Sequence, residues 1–174
     1  MLKGLKRWMF YKSFSPERSK KKKRTGINPL HTVAVLFDGT QEAERKLVHQ
    51  FKKDLKAHSA QEAKSLAFIN NRLPLDNVDY DAYNLKNVNW YGVPSGTKVS
   101  DFIQSNWDVL IFLGQKMLPH YEYIFAHSQA NFIIGPSITR AEQYFDMIVD
   151  NTEASTTKAL INKIIQAVNT IAVK

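Results

Sequence analysis

TVAVLFDGTQEAERKLVHQFKKDLKAH (residues 32–58) changes period in its middle. Residues 32–38 form an apolar run rich in β-branched and aromatic residues that ends at Asp38-Gly39. Apolar character without alternation marks a strand covered on both faces, as in a parallel sheet. From residue 41 the spacing becomes helical. Ala43, Leu47, Val48, Phe51 and Leu55 recur on one side, and Glu44, Lys46, Lys52, Lys53 and Lys56 take the others. Thr40 is placed to cap this helix, with Glu42 in its first turn. A covered strand feeding an amphipathic helix is a βα unit.

The same alternation runs to the C-terminus. Strands are expected at 64–70, 88–93, 107–114, 131–136 and 145–150, with WDVLIFLG (107–114) the strongest. NRLPLDNVDYDAYNLKN (71–87) reads as a loop, because Pro, Asn and Asp crowd it. Thr97 is placed to cap a short helix with Val99, Phe102 and Ile103. A second helix covers 118–130, with Pro119 in its first turn and Tyr123, Ile124 and Ala126 turned inward. The last starts near Ser155 or Thr156 and carries a stripe of Leu160, Ile161, Ile164, Ile165, Val168 and Ile171. The pattern predicts one α/β domain over 31–174: a three-layer, open, mostly parallel sheet of five or six strands, flavodoxin-like or Rossmann-like.

The 174 residues contain no cysteine, which removes disulfides and thiol chemistry, and no apolar run approaches the ~20 residues of a membrane span. The net charge of +8 is unevenly placed. Residues 1–25 hold ten basic groups against Glu17 alone, a local +9 that leaves the rest of the chain at −1. Residues 1–30 therefore read as a cationic arm on a near-neutral body. Its first turns set Met1, Leu2, Leu5, Trp8 and Met9 on one side and Lys3, Lys6 and Arg7 on another, with Phe10 off the apolar side. Lys20, Lys21, Lys22, Lys23 and Arg24 follow as a block. That composition suits an anionic membrane surface or the phosphates of RNA on a ribosome. It also suits a helix whose apolar side docks on the body or on a second copy in a homodimer. No secretory leader is expected, and an organelle transit peptide fits poorly because Lys outnumbers Arg.

Ligands of open α/β sheets bind beyond the carboxyl ends of the strands. The residues expected at that edge are Asp38, Gly39, Thr40, Asn70, Ser95, Gly96, Gly114, Lys116 and Asp150. Glycines end strands in any such protein, so the row alone does not demand a ligand. The chain has no GxGxxG, no GxxxxGK[ST] and no GxSxG, and so no nucleotide, P-loop or hydrolase signature. Asp38-Gly39-Thr40 is half of the Asp-x-Asp-Gly-Thr start of aspartyl phosphoryl-transfer sites, but Leu36 stands where the second acid belongs. Helix capping is the favoured role for Asp38 and Thr40. The five histidines show no metal spacing, and His120 and His127 are expected at the surface or as caps. No catalytic residue, metal or cofactor is assigned.

Read together, VNWYGVPSGTKVSDFIQSNWDVLIFLG, FAHSQANFIIGP and YFDMIVD are similar to a family of uncharacterised bacterial α/β proteins common in Bacteroidetes. The resemblance spans about 30–172 and implies a bacterial cytoplasmic protein without an assigned reaction. Pro136 departs from it where an aromatic residue is expected. A fainter similarity is to the acceptor half of heptosyltransferase-like enzymes, whose nucleotide-sugar domain this chain lacks. The favoured function is a non-enzymatic binding module, cytoplasmic and held by its arm at an anionic surface such as the inner face of the membrane. The alternative is a small-molecule-binding or catalytic domain using the strand ends.

Overall fold

A computed structural model describes residues 2–13, 31–58, 60–75, 78–152 and 156–172, the side chains of residues 2, 58 and 169–172 excepted. The block Lys20–Arg24 thus lies outside the described residues, as does the side chain of Ile171. Six parallel strands form one sheet: β1 (Thr32–Asp38), β2 (Glu62–Ile69), β3 (Ala82–Asn84), β4 (Val109–Leu113), β5 (Phe132–Pro136) and β6 (Met147–Val149). Their spatial order is β3-β2-β1-β4-β5-β6. This is the order of dinucleotide-binding Rossmann sheets, not the flavodoxin order. Helices α2 (Glu42–His58) and α5 (Thr157–Ala172) cover one face; α3 (Thr97–Gln104) and α4 (Pro119–His127) cover the other.

The sheet sorts its apolar residues by parity, because successive strand side chains point to opposite faces. Val33, Val35 and Phe37 pack with Val48 and Phe51 of α2 and with Leu160, Ile161 and Ile164 of α5. Ala34 and Leu36 pack with Phe68, Phe112, Tyr121, Ile124 and Phe125 on the α3/α4 face. Both sides of β1 are thereby buried, which is why its sequence does not alternate.

Several expectations need correction. The segment 88–93 is not a strand. Val88 and Pro94 form an isolated antiparallel bridge, and the Asn89 side chain accepts the amides of Tyr91, Gly92 and Val93, closing a tight turn. The real third strand, β3, lies inside the stretch read as a loop. It pairs along three residues only, so its signal is too short for periodicity. Gly96, with φ of 112°, occupies the N-cap of α3 in place of Thr97. On α4 the buried side chains are His120, Tyr121, Glu122, Ile124 and Phe125, one turn-face away from the Tyr123 and Ala126 expected. Ile165 of the final stripe is 37% exposed, because the sheet is met by Leu160, Ile161 and Ile164.

A further helix, α1 (Leu2–Ser13), lies against the body. Phe10 is buried to 3% exposure, whereas Leu5 and Trp8 are 49% and 58% exposed. The docked side is therefore the one carrying Phe10, not the Leu5/Trp8 side. Phe10 sits near Gly92, whose φ of 108° and missing side chain let that turn pass against Pro119. Among the described residues no helix is long and apolar enough to cross a membrane.

Candidate functional site

The chain reverses its direction of travel across the sheet between β1 and β4. β1 leads outward through α2 to β2, and β4 leads outward through α4 to β5. A crevice opens at such a point, between loops that diverge to opposite faces. Here the two diverging loops are residues 38–41 after β1 and 114–118 after β4.

Register fixes what lies beneath these loops. Asp38 pairs with Phe68, and Phe68 with Tyr83, so all three share one row and project to the α3/α4 face. Phe37 pairs with Leu113, which brings Gly114 level with Asp38. A side chain on Gly114 would run into the Phe112 ring. The first turn of α4 then drops two polar aromatics onto this row. His120 is 5% exposed, its ring centroid 4.1 Å from that of Phe68, and its Nδ1 is hydrogen-bonded to the Tyr83 hydroxyl at 2.7 Å. Tyr121 is 2% exposed and its ring contacts Phe112 at 4.9 Å between centroids. Among the described residues its hydroxyl is buried without a hydrogen-bond partner.

Burial sets the protonation states. It pulls His120 down to about 4 against a weaker upward influence of Asp38, so the imidazole is neutral near pH 7. Burial pushes the Tyr121 phenol up, and the Asp38 charge adds to it. Tyr83 is raised by burial, then by Tyr121 and Asp38. The carboxylate of Asp38 thus acts on all three rings. Neutral phenols and a neutral imidazole can donate hydrogen bonds, while Asp38, exposed at the rim, can only accept them.

Asp38 and Thr40 do not spend their side chains on the helix. Asp38 Oδ1 accepts the Thr40 amide at 2.9 Å, and Thr40 Oγ1 accepts the Asn70 amide at 2.9 Å. The second bond ties the end of β1 to the end of β2. Arg45 of α2 donates to the carbonyls of Gly39 and Thr40 at 2.5 and 3.1 Å, which holds the turn. The capping role expected for these residues is replaced by a loop brace.

The strand-end row therefore divides. Asp38, Gly39, Thr40, Asn70, Gly114 and Lys116 follow the neighbouring strands β1, β2 and β4, with Lys116 exposed on the loop after β4. Ser95 and Gly96 lie beyond β3, two strands from β1, and Ser95 is bonded to the Asn87 carbonyl. Asp150 lies beyond β6, three strands away. It accepts the Thr152 amide and hydroxyl, while Lys163 donates to its carbonyl. A cavity of about 740 Å³ is also separate, at the β3 edge, and its Lys98 and Asp81 are already paired at 2.6 Å.

Sequence reading missed His120, Tyr121 and Tyr83. The adjacent Pro119-His120-Tyr121 opening a helix straight after the strongest strand was the available signal. Its burial was not visible, because it depends on Phe68 and Tyr83 arriving from β2 and β3.

A second polar cluster joins α1 to the body. Glu122 is buried, and Arg140 donates from Nη1 to its Oε1 at 2.8 Å. Tyr144 and Tyr11 donate to Oε2 at 3.0 and 3.4 Å, and Arg140 also bonds the Tyr11 oxygen. Burial raises the Glu122 carboxyl above its usual range, against the bonds from Tyr144, Arg140 and Tyr11 that lower it. Arg140 adopts φ of 70°, alone among described non-glycine residues. That left-handed backbone aims its side chain at Glu122 and, through two bonds, at Gln143.

A family of unknown function (DUF6913) matches residues 5–171. The chain belongs to that family. No curated protein and no solved structure matches it. The DUF6913 match begins inside α1, well before the start near residue 30 expected from the sequence motifs. Helix α1 and the sheet are thus spanned by a single family match.

Proposed function

We propose that the chain is a small-molecule-binding module whose ligand lies across the β1/β4 crevice. The observation that carries this reading is the Tyr121 hydroxyl near Asp38, buried without a hydrogen-bond partner among the described residues. A hydroxyl buried without a hydrogen bond costs about 1–3 kcal/mol, so a ligand oxygen that accepts from it recovers that loss on binding. Asp38 then accepts from a hydroxyl or amine of the same ligand, and Lys116 stands at the rim for any anionic substituent. The ligand class is a small polar organic molecule bearing both an acceptor and a donor. A neutral His120 locked to Tyr83 serves better as an orienting group than as an acid or base, which favours binding over catalysis.

Tyr121→Phe tests the reading in two ways. Without ligand, the variant is expected to gain about 1 kcal/mol in urea unfolding, because the orphan group is gone. Thermal-shift measurements with nucleoside monophosphates, sugar phosphates and amino acids are expected to find one class that raises the wild-type midpoint. That shift should shrink in Tyr121→Phe and in Asp38→Asn. No responding class, together with a Phe variant no more stable than wild type, would sink the proposal.

A further inference from the structure

Helix α1 is doubly amphipathic, and only one of its apolar sides is used by the fold. Phe10 is buried on the body, and Tyr11 reaches the Glu122–Arg140 pair. The side turned away carries Leu5 and Trp8, three residues apart and about half exposed. Lys12 lies over the Trp8 ring at 4.9 Å, and Lys3, Lys6 and Arg7 are exposed along the same helix. Residues 2–13 contain four cations and no acid. The body beyond residue 25 carries a net charge of −1, so this helix is the locus of positive charge among the described residues.

From these observations we infer that α1 is an interfacial helix that seats the protein on an anionic lipid bilayer. Leu5 and Trp8 enter the head-group region, and Lys12, lying over the Trp8 ring on that same side, meets the lipid phosphates, while the exposed Lys3, Lys6 and Arg7, on the helix side that carries Phe10, add longer-range attraction. A helix lying flat in the interface needs one apolar side for lipid and leaves the other free. Here the other is occupied by the body through Phe10 and Tyr11, so the domain is carried at the surface in a fixed attitude. Charge complementarity alone would serve RNA equally. The exposed leucine decides for lipid, because a phosphate backbone offers it nothing, while a bilayer interface accepts both Leu and Trp.

The test is co-sedimentation of the full chain with vesicles of phosphatidylcholine and phosphatidylglycerol in a 7:3 ratio (about 50 mM NaCl), beside pure phosphatidylcholine and ribosomal RNA. Binding is expected to the anionic vesicles, falling about tenfold or more as salt rises to about 500 mM. In a Trp90→Phe background the emission should shift to the blue as Trp8 enters the interface. The double variant Leu5→Ser/Trp8→Ser removes only exposed side chains and should keep the wild-type melting midpoint, yet lose about tenfold in vesicle affinity. Undiminished vesicle binding by that variant overturns the inference. So does failure to bind vesicles, including the case in which the chain pellets with RNA instead.

Discussion

Glu122→Ala is expected to cost about 3 kcal/mol of stability and to release α1 from the body. The carboxylate is buried and receives bonds from Arg140, Tyr144 and Tyr11. Its removal leaves a guanidinium whose side chain is only 22% exposed without its anionic partner, and two phenols without their acceptor. The loss should exceed that of Tyr11→Phe, which deletes one hydroxyl and is expected to cost about 1 kcal/mol. Urea unfolding gives the two values. Limited trypsin digestion reads the release, since cleavage at Lys6, Arg7 and Lys12 should accelerate in the alanine variant before global unfolding. Equal costs for the two substitutions would mean that Glu122 and Arg140 contribute nothing beyond the Tyr11 contact.

The second large effect is an acid-side loss of stability centred on His120. Its pKa is about 4 in the fold, against the usual 6.5 in the unfolded chain. Between these values the unfolded chain binds more protons than the native one, so stability falls as the pH drops through that window. A gap of about 2.5 units corresponds to a loss of about 3 kcal/mol, complete near pH 4. Asp38 faces His120 and moderates the effect, because its charge favours the imidazolium. Glu122 works in the opposite sense: with its folded pKa raised, it holds its proton longer in the native state, and its share of stability declines as pH rises above 4.5. His120→Gln is expected to flatten the profile between pH 6.5 and 4 by about one proton, as measured by urea midpoints at half-unit intervals. An unchanged slope in that variant would assign the acid loss elsewhere.

These groups show how far the sequence could be read. The apolar runs at 33–37 and 109–113 specified strands buried on both faces, and the helical stripe from Ala43 to Leu55 specified a covering layer. Parallel pairing followed, because a strand that ends in a helix must return at its starting edge. Asp38, Gly39, Thr40, Gly114 and Lys116 were legible as edge residues because they follow those strands directly. The three-residue β3 was not, since a signal of that length is lost among the Asn and Asp around it. Its place is set by pairing with β2, a contact at long range in sequence.

The charge split, the α/β class and the position of the strand ends were determined by composition and period, which are local properties of the chain. The strand order, and with it the reversal of direction between β1 and β4, belongs to the tertiary structure alone. So does the fate of two side chains that local rules misplace. His120 reads as a polar helix-start residue until Phe68 and Tyr83 close over it and strip its water. Phe10 reads as lying off the apolar side of α1 until Gly92 and Pro119 supply a surface for it. In both cases burial is set by neighbours distant in sequence, and that burial fixes which groups are charged, which are satisfied and which stay open to a partner.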